Sequence, residues 1–324
     1  MKSYYIKSVN GKTVFEPREV PVPQPKAGEI LVKVRAASLN RGEILASISL
    51  HSAEVPHPAG GDCAGEVHAV GEGVTAFKPG DRVLGRARGS FSEFVAMSVQ
   101  QAALVPQRLT WEQAATVPIS AITAYEAILG YGKLKSGETL LVVGAASGVG
   151  VVGVQIGKFL GAKVIGVSRS AAKLEKLKAA GLDIGITAAG GGFADKVLAA
   201  TGGQGVNLAI NLVGGTAFPD CVRSLANQGR LAIIGYVDGQ HHAEIDLETV
   251  HGKRLQIFGV SNALLPPAQR AEAMRGFVRD VLPGFADGRI VPVIDKVFPF
   301  GELLAAKAYV ETNAQLGKVV VKMS

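Results

Sequence analysis

A glycine-rich segment near the middle of the chain has the residue types and spacing that bind phosphate groups. It is a GxGxxG pattern that follows the apolar run Thr139–Val143 and opens a second apolar run, residues 151–160. In a βαβ unit the first glycine permits a tight turn, the second admits the pyrophosphate close to the backbone, and the third lets helix and strand pack closely. The N-terminus of the following helix offers free N–H groups and a positive dipole. The predicted phosphate-binding residues are Ser147, Gly148, Val149, Gly150 and Gly153.

The next predicted strand ends on cationic and hydroxyl side chains. Dinucleotide sites that take NAD place Asp or Glu here, about 20 residues after the glycines, to bind the ribose 2′-hydroxyl. This chain has Ser168 and Arg169 instead, with Lys173 one helical turn further on. These groups suit the 2′-phosphate of NADP(H), which a carboxylate would repel. Two alternatives are a glycine-rich turn that binds no ligand, and cations that are only solvated charges at a helix start.

The elements that must position these residues alternate along the second half of the chain. Apolar runs that read as strands are separated by helical periodicities, which predicts βαβ units and a parallel sheet. The strands are near-continuous apolar runs, as burial on both faces requires. The predicted strands are 139–143, 163–167, 207–213 and 229–234, and the predicted helices are 151–160, 171–180 and 217–225.

The first 117 residues show a different pattern. Short strands at 29–36, 65–70 and 82–84 are separated by Gly and Pro turns, which predicts a small barrel or sandwich. A helix is expected from Thr110, whose hydroxyl can cap it. The last part of the chain has a predicted helix at 268–281 and a closing strand at 318–322.

Composition excludes several other classes of protein. The chain has 324 residues, of which 48% are hydrophobic and 19% charged, so it is not a disordered chain, and its length suggests two domains. Two cysteines cannot form a disulfide framework, and the N-terminus lacks the apolar core of a signal peptide, so we expect a cytoplasmic protein. The net charge of +7 is scattered, which argues against nucleic-acid binding. The uncharged run 140–157 contains five glycines, which argues against a membrane span.

Taken together, these features resemble the zinc-free quinone oxidoreductases of the medium-chain dehydrogenase/reductase superfamily. The order and spacing of the motifs carry the resemblance more than any one of them. It implies an α/β fold: a Rossmann doubly wound parallel sheet at 118–262, and a GroES-like β-barrel catalytic domain formed by 1–117 and 263–324. The matching segments are 36–41, 61–65, 71–74, 77–83, 89–95, 114–118, 123–125, 148–153 and 317–321.

The resemblance also implies an activity, a cofactor and an assembly. Members of this family reduce quinones, or the activated C=C bonds of enals and enones, with NADPH, and they form homodimers through the Rossmann sheet. Residues 255–259 are the plausible edge strand for such a dimer. The implied cofactor contacts outside the glycine-rich turn are Thr123, Val213, Gly235, Tyr236, Val237, Gly259, Val260, Ser261 and Lys318.

A catalytic metal is not expected. Zinc-dependent relatives have Cys where this chain has Asn40, and Gly-His-Glu where it has residues 60–62, which are Gly-Gly-Asp. A catalytic zinc needs three protein ligands of Cys, His or carboxylate type. His57, Cys63 and His68 lie nearby in sequence, but their spacing matches no zinc pattern.

Asn40 and Arg41 are the candidate catalytic residues. Hydride transfer leaves negative charge on a substrate oxygen, which hydrogen-bond donors stabilise, and the resemblance places both side chains beside the substrate. The alternative is that Asn40 ties down a loop and Arg41 pairs with Glu43. Residues 41–99 contain no Tyr that could act as a proton donor, so water is the default donor.

Two other functions are compatible with parts of the sequence. Short-chain dehydrogenases also carry a GxxxGxG turn and a YxxxK motif, which residues 144–150 and 131–135 match, but there YxxxK follows the turn, whereas here it precedes it. The second rival, a non-catalytic NADPH-binding redox sensor, stays open. The choice between quinone and alkenal substrates also stays open.

Overall fold

The computed structural model describes residues 1–44, 55–261 and 265–323. The chain divides into two units. The first contains Met1–Ser120, Pro266–Ala286 and Pro292–Ser324, and the second contains Ala121–Leu265 and Asp287–Val291. The predicted division at 117/118 and 262/263 stays a prediction, and its second boundary lies outside the described residues.

Strands supply the sheets of both units. In chain order they are β1 (Lys2–Val9), β2 (Lys12–Glu19), β3 (Glu29–Ser38), β4 (His57–Pro58), β5 (Asp62–Val70), β6 (Arg82–Arg86), β7 (Phe94–Ser98), β8 (Ala102–Leu104), β9 (Thr139–Val143), β10 (Lys163–Ser168), β11 (Ile184–Thr187), β12 (Val206–Asn211), β13 (Leu225–Ile233), β14 (Gln256–Gly259), β15 (Ile294–Pro299) and β16 (Lys318–Lys322).

Helices connect and cover these strands. In chain order they are α1 (Arg41–Ile44), α2 (Trp111–Ala115), α3 (Pro118–Tyr125), α4 (Gly148–Phe159), α5 (Ala171–Lys178), α6 (Ala194–Ala200), α7 (Phe218–Arg223), α8 (Leu247–Lys253), α9 (Pro267–Asp280), α10 (Leu282–Asp287) and α11 (Leu303–Glu311). A π-helical turn, Glu126–Gly130, follows α3. Among the described residues, no helix combines the length and the apolar character that crossing a membrane needs.

The second unit contains a six-stranded sheet in the order β11–β10–β9–β12–β13–β14. Every neighbouring pair is parallel. Numbered from β9, this is the order 3-2-1-4-5-6 of the doubly wound dinucleotide-binding fold, so the prediction of a Rossmann sheet is confirmed. In such a sheet ligands bind beyond the carboxyl ends of the strands where the order reverses, here between β9 and β12.

The first unit contains a seven-stranded sheet in the order β15–β16–β3–β5–β6–β8, with β7 also paired to β3. A smaller sheet has the order β2–β1–β4. The closing strand β16 pairs antiparallel with β3, so that Val320 lies opposite Ser38. This long-range pairing joins the C-terminal strand of the chain to β3 in one sheet.

Sequence signals account for where the helices begin. Thr110 caps α2 with a complete capping box to Gln113, and Pro118 begins α3, where its missing N–H is not needed. The predicted helix 151–160 begins earlier, at Gly148, because Ser147 acts as its N-cap. The glycine motif is therefore part of the helix itself.

Candidate functional site

The glycine-rich turn of the second unit leads directly from β9 into α4. Gly144 has φ of +90°, a conformation that favours glycine, and it reverses the chain after the strand. Ser147 Oγ then accepts a hydrogen bond from the Gly150 N–H at 3.1 Å. The N–H groups of Gly148 and Val149 belong to the first turn, which has no intrahelical partners, and no acceptor is recorded for them among the described residues. These two donors are available to an anion.

The glycines of the motif are also required by packing inside the protein. A Cβ at Gly150 would collide with the carbonyl oxygen of Gly144. A Cβ at Gly153 would lie 3.1 Å from Ile210 Cδ1 on β12. Gly150 therefore lets the start of α4 approach the preceding turn, a reason that the prediction of pyrophosphate contact did not contain.

The strand ends beside this turn bring most of the predicted cofactor residues to one edge of the sheet. Each connecting segment continues the hydrogen bonding of the neighbouring strand: Leu212 N–H to Val143 O (3.1 Å), Ile234 N–H to Asn211 O (3.0 Å) and Val260 N–H to Ile233 O (2.9 Å). Val213 and 235–237 thus follow the carboxyl ends of β12 and β13, while 259–261 begin at the last residue of β14. Thr123 is buried in α3, and its role stays a prediction.

Two side chains that sequence reasoning did not assign to the site hold these loops. Asn211 Oδ1 accepts hydrogen bonds from the backbone N–H groups of Val213 (2.9 Å) and Gly214 (3.1 Å). Asp238 accepts from the Thr216 N–H (2.8 Å), the Thr216 hydroxyl (2.6 Å) and the Gln240 N–H (3.0 Å). Burial alone raises the pKa of Asp238, but these hydrogen bonds outweigh it and hold the pKa below its usual range. A turn sequence such as Asp-Gly was the only local signal for this role.

The end of β10 presents a cation to solvent. Arg169 is exposed, and no hydrogen bond or ion pair is recorded for it among the described residues. Ser168 Oγ accepts from the Ser170 N–H at 3.4 Å, and Ser170 Oγ caps α5 by accepting from the Lys173 N–H at 3.3 Å. The three predicted residues are therefore adjacent at the start of α5.

A second cluster of polar side chains lies in the first unit, and its members form hydrogen bonds mainly with one another. Asn40 is its centre: Nδ2 donates to Asp62 Oδ1 (3.0 Å) and Glu43 Oε1 (3.4 Å), and Oδ1 accepts from Lys318 Nζ (2.6 Å). Asp62 also accepts from the Ser38 hydroxyl on Oδ1 (2.8 Å) and from a backbone N–H, that of residue 119, on Oδ2 (3.2 Å). We call Asn40, Glu43, Asp62 and Lys318 the buried cluster.

The members of the buried cluster have little contact with water. Asp62 is fully buried, Lys318 is 6% exposed and Glu43 is 9% exposed. Burial, and then the nearby charge of Asp62, raise the pKa of Glu43 to about 8. Burial lowers the pKa of Lys318, although Asp62 and Glu43 oppose this shift. Glu43 Oε2 has no hydrogen-bond partner among the described residues.

The cluster changes how three predicted residues are understood. Both amide hydrogens of Asn40 point to carboxyl groups, and Arg41 Nη2 donates to Val310 O at 3.4 Å. Lys318 was predicted to contact the cofactor, but its ammonium is enclosed and donates to Leu39 O (3.1 Å) and Asn40. Sequence reasoning missed this link because Lys318 and Asn40 are 278 residues apart. The apolar residues beside Glu43 were the one local sign of its burial.

Two family models match the chain. Residues 26–107 match the alcohol dehydrogenase GroES-like domain, and residues 148–278 match a domain described as zinc-binding dehydrogenase. The first range covers most of the sheet of the first unit, and the second begins at the glycine motif.

Similar proteins extend over nearly the whole chain. A zinc-type alcohol dehydrogenase-like protein of Schizosaccharomyces pombe is 30% identical, over 97% of both chains. Acryloyl-coenzyme A reductase of Metallosphaera sedula is 29% identical over 99% of both chains, and quinone oxidoreductase of Rattus norvegicus is 27% identical over 94% of this chain and 92% of its own.

Solved structures show the same fold. Mycobacterial Rv1454c complexed with NADPH has a TM-score of 0.88 at 29% identity, and covers 99% of this chain and 100% of its own. CurK enoyl reductase has a TM-score of 0.84 at 27% identity, over 99% of both chains.

The zinc named in one family description does not fit the residues present. Asn40 supplies an amide, and Gly61 supplies no ligand; a Cβ there would collide with Glu43 Oε1. The carboxyl groups of the cluster are bonded to Asn40, and Lys318 places a positive charge among them. Within residues 1–44, 55–261 and 265–323, no three His, Cys, Asp or Glu side chains group as metal ligands.

Proposed function

The chain is a member of the medium-chain dehydrogenase/reductase superfamily, resembling its quinone oxidoreductases, and from this we propose that it transfers a hydride from NADPH to a quinone, or to the activated C=C bond of an enal or enone, without a metal ion. It is an oxidoreductase of that family. The observation that supports the proposal is the start of α4: Gly148 and Val149 lie in its first turn, directly after the turn that follows β9, and a doubly wound sheet binds its ligand where its strand order reverses, between β9 and β12.

The residues present fit NADPH, which supplies the hydride when it is bound. The donors at the start of α4 suit the pyrophosphate, and Arg169, Ser168 and Lys173 suit the 2′-phosphate. The similar mycobacterial structure holds NADPH, in support of this choice. We therefore propose that 213, 235–237 and 259–261 contact the cofactor along the same edge of the sheet.

The substrate is proposed from its chemistry and from the relatives. Acryloyl-coenzyme A reductase and enoyl reductase are named for C=C bonds conjugated to a carbonyl group, and quinone oxidoreductase for a conjugated dione. All of these substrates gain negative charge on an oxygen after hydride addition. The guanidinium of Arg41 suits that oxyanion, while we propose that Asn40 holds its loop in position.

We also propose a homodimer that acts in the cytoplasm. β14 lies at one edge of the six-stranded sheet, and an edge strand presents unpaired N–H and C=O groups that can extend a sheet into a second copy. Sedimentation at micromolar concentration would reveal a single monomeric species if this is wrong.

One observation favours the alternative of a non-catalytic redox sensor. Asn40 has no amide hydrogen left for a substrate, because both are bonded to carboxyl groups. Steady-state oxidation of NADPH with a benzoquinone and with an alkenal separates the two functions. We expect turnover with at least one of these two substrates. NADPH binding by calorimetry without turnover of either substrate would favour the sensor.

A further inference from the structure

The buried cluster contains one more carboxyl group than it has cations. Asp62 receives three hydrogen bonds from Ser38, Asn40 and a backbone N–H, and donates none, as an ionised carboxylate does. Lys318 is the cation among the recorded partners of the cluster. A second ionised carboxylate at Glu43 would leave a buried negative charge without compensation, which is strongly unfavourable.

The geometry of Glu43 fits a neutral carboxylic acid. Oε1 accepts from Asn40 at 3.4 Å, while Oε2 has no hydrogen-bond partner within the described part of the chain. The carboxyl group also fills the space beside Gly61, where a Cβ would collide with Oε1. Its close packing leaves little room for water to solvate a charge. The raised pKa of Glu43, due first to burial and then to Asp62, agrees with this state.

We propose that Glu43, protonated at neutral pH, together with Asp62 and Lys318, acts as a set of positioning residues that fix the side-chain amide of Asn40. Lys318 holds Oδ1, and the two carboxyl groups hold Nδ2, so the amide has one orientation. Ionisation of Glu43 places a second negative charge beside Asp62, and this repulsion loosens the Asn40 loop. The effect on catalysis rests on the proposed function, whereas the effect on folding does not.

Three groups within the described residues act on the Glu43 carboxyl group. Asp62 at the start of β5 and Lys318 at the start of β16 are charged, and Asn40 is polar and lies on the same segment as Glu43. Gly61 and the side chain of Ile119 complete the contact on the β5 side. Burial shifts the pKa of both Glu43 and Lys318, so a titration near pH 8 is assigned to Glu43 by its loss in Glu43→Gln.

The first test follows folding and needs neither coenzyme nor substrate. Glu43 binds its proton more tightly in the folded than in the unfolded chain, so stability is full at acidic pH and falls as pH rises toward 8. We expect the unfolding equilibrium constant of the wild type, relative to Glu43→Gln, to rise by up to about tenfold per pH unit between about pH 5 and pH 8. The exposed control Glu72→Gln should parallel the wild type.

Parallel loss of stability in the wild type and in Glu43→Gln over this range would overturn the proposal. If the Gln variant does not fold, infrared spectroscopy of the wild type decides the same point. A buried carboxylic acid band should be present at pH 7 and vanish above pH 8 with a single midpoint; its absence at pH 7 contradicts a protonated Glu43.

The second test follows catalysis. We expect kcat for NADPH oxidation by the wild type to fall at alkaline pH with a midpoint near 8. Glu43→Gln should lack this alkaline limb of the pH profile, and its kcat at pH 7 should stay within about threefold of the wild-type value. A limb that is unchanged in Glu43→Gln would overturn the positioning role, even if the folding test succeeds. Failure of the wild type to turn over either substrate refutes the proposed function instead, and the folding test then decides the cluster by itself.

Discussion

The two polar regions of this chain differ in what their polar groups are bonded to. In the buried cluster of the first unit the side-chain amide of Asn40 donates to the carboxylate of Asp62 and accepts from the ammonium of Lys318. At the glycine turn and the end of β10 in the second unit, Gly148, Val149 and Arg169 have donors with no acceptor among the residues that the structure describes. A region whose polar groups hydrogen-bond to one another is ordered without a ligand, whereas a region whose donors have no protein acceptor suits an anion.

The energetic consequences differ in the same way. Breaking a buried charge group leaves unpaired charge in a medium that solvates it poorly, so stability suffers first. Changing donors that face solvent has little effect on folding, and ligand affinity suffers first. Substitutions can therefore separate the regions by which property they alter.

The largest effect is expected from Lys318→Met. It removes the buried cation and leaves Asp62 and the Oδ1 atom of Asn40 without it, so unfolding should become easier by about 3–5 kcal/mol. Urea unfolding at pH 7 measures this. Lys322→Met removes an ammonium from the exposed end of the same strand, whose surface ion pair with Glu112 is worth about 0–1 kcal/mol. Equal losses for both variants would show that the buried cluster contributes no more to stability than an exposed position on the same strand.

Gly150→Val should mainly affect ligand affinity. Its side chain collides with the Gly144 carbonyl, so the turn that aims the Gly148 and Val149 N–H groups must move. We expect NADPH affinity by calorimetry to fall by about a hundredfold or more, equivalent to about 2.7 kcal/mol. Gly153→Ala meets only Ile210 at 3.1 Å and Ile128 at 3.7 Å and should keep most of the affinity. An unchanged dissociation constant for Gly150→Val contradicts the assigned site.

Charge reversal at the end of β10 sharpens the coenzyme assignment. Arg169→Asp combined with Lys173→Glu should raise KM for NADPH by about tenfold or more, because the 2′-phosphate then faces like charge, and should change KM for NADH little. Lys176→Glu, an exposed position on the same helix, serves as the control. The assignment to the 2′-phosphate fails if both coenzymes respond equally.

The smallest effect is expected from removing metal ions. Elemental analysis of the purified protein should find less than about a tenth of a zinc per chain, since a catalytic zinc needs three protein ligands and no such group is found among the described residues. A chelator should leave the activity of the wild type unchanged. Stoichiometric zinc would show that the cluster opens to bind metal.

Sequence reasoning succeeded where the signal is local. The strand Thr139–Val143 has its predicted bounds, and the predicted strand at 163–167 lacks only Ser168 of β10. Helix boundaries were less accurate: the predicted helix 217–225 is Phe218–Arg223, since helix ends depend on capping and on packing that periodicity does not report. The cofactor residues at the strand ends could be proposed because a parallel sheet brings its carboxyl ends to one edge.

By itself, the sequence determined the doubly wound sheet, the glycine turn that starts α4, and the absence of a carboxylate at residues 168–170. Each of these is encoded in a short segment by backbone freedom, periodicity or charge. Only the tertiary structure decided that Lys318 donates a hydrogen bond to Asn40, and that Glu43 is buried with one carboxyl oxygen unpaired among the described residues. The pairing of β16 with β3 creates that environment, and the removal of water within it, which no single segment encodes, determines which groups carry charge.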